Sequence, residues 1–97
     1  MFARLYHNKL YDPIQLNEDH IFVIFFSPEK MIFERGLDPD KVIREIKNFG
    51  KAYVLLHENS KVWEEQKREK ICIAAWEIYL ISSKSRQDIL NAFLFYD

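Results

Sequence analysis

Cysteine is nearly absent from this chain. The single residue, Cys72, excludes an intramolecular disulfide framework and any cysteine-rich zinc site. Its neighbours Ile71, Ile73 and Ala74 mark it as a small core hydrophobe, since a thiol among apolar groups ionises poorly. Glycine is almost as scarce, with two in 97 residues. There is no Gly-x-Gly-x-x-Gly, no Walker loop and no Gly-x-Ser-x-Gly, which excludes dinucleotide chemistry and nucleotide hydrolysis on a glycine-built cradle. Two glycines and three prolines also exclude a fibrous or low-complexity chain. An excess of charge of either sign is missing too: 14 basic against 15 acidic side chains leave a net charge of -1. That balance lacks both the basic footprint of a phosphate-backbone binder and the acidic surplus of a nucleic-acid mimic. Long apolar runs are missing as well. Residues 21–26 and 71–81 fall short of the ~20 that a membrane helix needs, and the second run carries Glu77. Residues 1–11 lack the apolar stretch of a signal peptide. The expectation is a cytoplasmic, intracellular protein with no membrane contact.

What the chain does have is apolar mass. Hydrophobic residues make up 48% and aromatic residues 15%, too much for disorder, and the length suits one core, so residues 1–97 are expected to form a single domain. Phe, Tyr, Met, Ile, Asn and Lys far outnumber Gly, Ala, Arg and Pro, the codon signature of an AT-rich gene such as low-GC bacteria, phages and archaeal viruses carry.

The pattern predicts an α+β fold, a small α/β sandwich in which a short sheet packs against helices. Residues 2–11 place apolar groups around His7 and Asn8 and suggest a short hairpin. His20 to Phe26 is dense in β-branched and aromatic residues and reads as a central strand buried on both faces. Ser27-Pro28-Glu29 offers an N-cap, an N1 proline and an acidic first turn, predicting a helix over 28–35 stopped by Gly36. Asp38-Pro39-Asp40 repeats the signal. Val42, Ile43, Ile46 and Phe49 then form an apolar stripe, predicting a helix over 39–49 before Gly50. A second strand is expected over 51–57, so strand, two helices and strand form one unit whose helices cover one face of the sheet. Residues 61–83 fit either a helix capped by Ser60 or a hairpin bent at 66–70. The missing turn formers favour helix for 61–70 and the isoleucines favour strand for 71–81. Ser85-Arg86-Gln87-Asp88 resembles a capping box opening a helix over 86–96, with Ile89, Leu90, Phe93 and Leu94 as its stripe.

Candidate chemistry is sparse. His7, His20 and His57 stand at no metal-ligand spacing from one another, so neither a metal nor another cofactor is expected. His57, at a strand end, has the chemistry of a proton donor or acceptor. Glu77, alone in an apolar run, should meet a cation such as Arg35, Arg44 or Lys51, emerge on a solvated face, or serve a site. Ser82, Ser83 and Ser85 have no base near them and read as loop and cap residues. Fifteen aromatic side chains exceed what so small a core should hide. Trp63, beside a charged run, and the terminal Phe93, Phe95 and Tyr96 are the expected exposed binding surface, pointing to a protein partner and a homodimer.

Two function classes follow. The first is a non-enzymatic interaction or regulatory protein, an inhibitor of the size that viruses and mobile elements use, binding a partner protein through exposed aromatic groups. The second starts from element order. Strand, two helices, then strands, together with Glu34-Arg35-Gly36-Leu37 followed by Val42, resembles the RelE-like toxins. That resemblance implies a small endoribonuclease in which His57, Arg35, Arg86 and Lys51 contact phosphate and move a proton. A sequence pI near 6.3 opposes it, because gripping RNA requires excess positive charge. DNA binding through the helix pair of residues 28–49 is weaker still, since Asp38, Asp40 and Glu45 offset Lys41, Arg44 and Lys47.

Overall fold

The computed structural model describes residues 8–11, 13–16 and 19–96. It is an α+β fold in which five antiparallel strands form one sheet: β1 (Lys9–Leu10), β2 (Ile14–Leu16), β3 (Asp19–Phe26), β4 (Lys51–His57) and β5 (Ala75–Ser82). The order is β1-β3-β5-β4, with β2 also on β3, so β3 and β4 run parallel to each other with β5 inserted between them. Three helices complete the fold: α1 (Pro39–Lys47), α2 (Trp63–Glu69) and α3 (Arg86–Ala92). The hairpin expected over 2–11 falls mostly outside the described residues; Lys9–Leu10 pairs with β3.

β5 holds the fold together because both long neighbours pair along it. Phe22, Ile24 and Phe26 of β3 lie opposite Leu80, Ile78 and Trp76, and Ala52, Val54 and Leu56 of β4 face the same three residues from the other side. All nine therefore share one face of the sheet. The helices pack there: Val42, Ile43 and Ile46 from α1, Trp63 from α2, Ile89 from α3 and Phe93 and Tyr96 beyond it join one buried cluster. The radius of gyration, 13.4 Å, suits a chain of this length collapsed around one core.

α1 forms as its sequence dictates. The Asp38 carboxylate accepts from the Asp40 amide, Pro39 occupies the first turn, and the apolar stripe turns inward. α3 opens on the expected capping box, with Ser85 and Asp88 each accepting from the other's amide. The undecided stretch resolves into both structures, helix for 63–69 and strand for 75–82.

Other expectations are corrected. The helix predicted over 28–35 is a single 3-10 turn, Ile32–Arg35. Ser27 does not cap it; its amide donates to Asn8 Oδ1 at 2.8 Å. Gly36 does close the turn, at φ 76°. Gly50 has a different purpose from stopping a helix: a Cβ there would collide with the Ile81 carbonyl oxygen of β5. α3 is shorter than 86–96, and Leu90 and Leu94 point outward, because burial follows Ile89, Phe93 and Tyr96.

Candidate functional site: the open face of the sheet

Strand residues alternate between faces, so the nine core-facing residues leave an equal number on the other side. Across β3, β5 and β4 these stand in rows: Ile21, Ile81 and Lys51; Val23, Tyr79 and Tyr53; Phe25, Glu77 and Leu55. His57 ends the β4 column, and Ile14 of β2 adjoins Ile21. Tyr11 meets the Phe25 ring edge-on at 5.7 Å between centroids. None of these residues belongs to the buried cluster, and every buried helix residue packs on the opposite face. Among the described residues, nothing covers this side. Tyr53 is 55% exposed and Leu55 52%. The reading of β3 as buried on both faces is thus corrected: one face is buried, and the other is apolar although only its strand neighbours shield it.

One corner of the face is polar. Glu77 Oε1 lies 3.1 Å from His57 Nε2, and the Tyr79 hydroxyl donates to Oε2 of the same carboxylate. The tyrosine bond first, and the histidine second, hold the Glu77 carboxyl below the usual carboxylate range, while the same bond pushes the Tyr79 phenol up. Glu77 therefore finds neither Arg35, Arg44 nor Lys51. Its partners are cross-strand and same-strand neighbours that only the register of β4 on β5 brings together. Lysines frame the surface, Lys51 with its ammonium 5.6 Å from the Tyr53 ring centre and Lys9 at the same distance from Tyr11.

Three of the four residues expected at an exposed aromatic surface are in the core. Trp63 is 5% exposed, Phe93 7% and Tyr96 8%. Trp63 stacks on Phe33 and meets Trp76 edge-on, and its indole N–H donates to Asp40 Oδ1 at 2.9 Å. Phe93 and Tyr96 pack on Phe26, and the Tyr96 hydroxyl donates to the Asp38 carbonyl. Phe95 alone is outside, 67% exposed. The charge run beside Trp63 and the end of the chain masked anchors whose burial follows helical spacing. The outward aromatic groups are instead Tyr11, Phe25, Tyr53 and Tyr79, which odd-numbered alternation along the strands could have revealed.

The four residues that the toxin resemblance implied do not converge. Lys51 and His57 occupy opposite ends of β4, about 20 Å apart at the rise of a strand. Arg35 donates to the Phe95 carbonyl and pairs with Glu29, and Arg86 reaches the Leu10 carbonyl. A shallow cleft of about 430 Å³ lies among Phe33, Leu37, Lys41, Lys67 and Lys70, but Asp40 and Glu64 neutralise Lys67 there. Cys72 is buried, and burial pushes its thiol up to about 12. Among the described residues no cluster of His, Cys, Asp or Glu could hold a metal ion, and no helix is long and apolar enough to cross a membrane. No protein-family model, curated protein or solved structure matches the chain, so the site rests on its own geometry.

Proposed function

We propose that the protein is a non-enzymatic interaction module that binds a partner protein through the open face of its sheet. One observation carries the reading: Val23, Phe25, Leu55, Tyr53, Tyr79 and Ile81 form a contiguous apolar surface on paired strands. Contiguous exposed apolar area of this kind is a contact surface more often than a solvated one, and aromatic groups supply large contact area at small entropic cost. The Glu77, His57 and Tyr79 corner would fix orientation at the rim of the contact. A regulator or inhibitor from a virus or mobile element, working in a reducing intracellular compartment, fits the size, the base composition and the unpaired cysteine. The ribonuclease reading has no convergent residues to support it.

The test is affinity capture from the native host with the wild type, Val23→Asp on the open face, and Leu90→Asp on the exposed side of α3. A protein retained by the wild type and Leu90→Asp but lost with Val23→Asp is the expected result. Retention by all three contradicts the assignment, and recovery of RNA in place of protein favours a stacking platform for single strands.

A further inference from the structure

The two edges of the sheet are built differently. On one side β1 and β2 are two and three residues long and separated by Pro13, which keeps that edge from templating another strand. On the other side β4 offers seven continuous residues, Lys-Ala-Tyr-Val-Leu-Leu-His, paired only with β5 among the described residues. No proline, glycine or acidic residue interrupts it, and its only lysine is at its first position. The devices that block edge pairing are absent from its centre. Tyr53, Leu55 and Leu56 are all exposed along it.

We infer that β4 pairs with β4 of a second copy of this chain, antiparallel and centred on Val54, joining two sheets into one. The sequence is self-complementary in that register. Val54 meets its own copy, and Tyr53 lies opposite Leu55 of the partner subunit twice over, aromatic against aliphatic on the open face. Ala52 pairs with Leu56 of the partner subunit on the core face, and Lys51 comes beside His57 of the partner subunit. His57 is held by Glu77, so each Lys51 ammonium meets a carboxylate-bearing corner of the other copy. Any register shifted by two residues shortens the ladder and breaks these pairs; a shift by one exchanges the faces. A two-fold contact needs such self-matching. The pairing leaves the open faces accessible and makes them continuous, so it stands whether or not the partner reading holds.

Light scattering on the eluted wild type should give twice the chain mass of 11.8 kDa, and Leu55→Lys, which sets at the centre of the edge the lysine that edge strands use to block pairing, should halve it. Far-UV circular dichroism of Leu55→Lys should match the wild type, since that side chain is outside the core. Val54→Cys places two thiols directly opposite at a Cα separation of ~4.5–5.5 Å, within disulfide reach, and should oxidise to a covalent dimer. The wild type with buried Cys72, and Val62→Cys with an exposed thiol away from the edge, should not. A monomeric wild type overturns the proposal, as does a dimer that survives Leu55→Lys or that Val54→Cys fails to lock. Because Val23 lies two strands from this edge, Val23→Asp should remain dimeric while losing the partner, which separates failure of this pairing from failure of the partner assignment.

Discussion

Glu77 is a carboxylate on an apolar sheet, and its two bonds determine how the protein responds to acid. Because the folded state holds its pKa down, its contribution to stability is present above the ordinary carboxylate range and is lost as pH falls through the lowered folded value. Tyr79, raised by the same bond, contributes below the ordinary phenol range and loses that contribution as pH climbs through its raised folded value. Urea unfolding of the wild type and Tyr79→Phe should therefore differ at pH 7 and converge only once the pH falls below the lowered folded value of Glu77, where the carboxylate is protonated in both. A constant gap across that range would mean that the hydroxyl is not held by an ionised Glu77. Gly50 gives a second residue-scale expectation. Gly50→Ala drives a methyl group into the Ile81 carbonyl, so the link from α1 into β4 must move off β5 at a cost of roughly 1–3 kcal/mol, read as a lowered denaturation midpoint.

The join between α2 and β5 is where an element depends on one side chain. Gln66 is fully buried, and its amide donates to the Glu58 and Lys61 carbonyls at 2.9 and 2.6 Å. Its carbonyl accepts from the Ile73 and Ala74 amides at 2.7 and 3.1 Å. Four backbone groups of the two irregular connections that flank α2 are satisfied by one residue. Gln66→Leu preserves the volume and strands all four, so a loss of about 3 kcal/mol or more is expected in chemical denaturation, given ~1–3 kcal/mol for each buried unpaired group. A loss under 1 kcal/mol would mean that water replaces the amide. This clamp also explains what the sequence revealed and what it hid. α1 and the capping box of α3 were legible because Asp38-Pro39 and Ser85-x-x-Asp88 are local signals. The division of 61–83 was only half legible, because Lys70 closes α2 in the left-handed conformation, at φ 59°, without the glycine that usually marks it. Trp63 was misread because its partners Asp40, Phe33 and Trp76 are distant in the chain. Of the candidate site, Lys51, Glu77 and His57 were legible as residues with chemistry, but not the partner of His57. The His57 bond to Glu77 depends on a strand register that no local pattern encodes.

At the scale of the whole molecule, most of the aromatic load divides between two places. Phe22, Phe26, Trp63, Trp76, Phe93 and Tyr96 fill the space between sheet and helices, while Tyr11, Phe25, Tyr53 and Tyr79 stand on the far side of the sheet. The rings that the core does not hold stand mainly on the open face, whereas Trp63, Phe93 and Tyr96 are buried. A two-layer sandwich with one apolar face uncovered has the shape of a three-layer assembly missing its third layer, which is why a binding role is assigned to that face. The most direct measurement compares neighbouring residues of one strand, Val23→Lys on the open face and Ile24→Lys on the core face, for cooperative thermal unfolding and for retention of the captured partner. The account predicts that Ile24→Lys loses cooperative unfolding, whereas Val23→Lys melts near the wild type and no longer retains the partner. Collapse of both variants, or a folded Val23→Lys that still holds the partner, would contradict it.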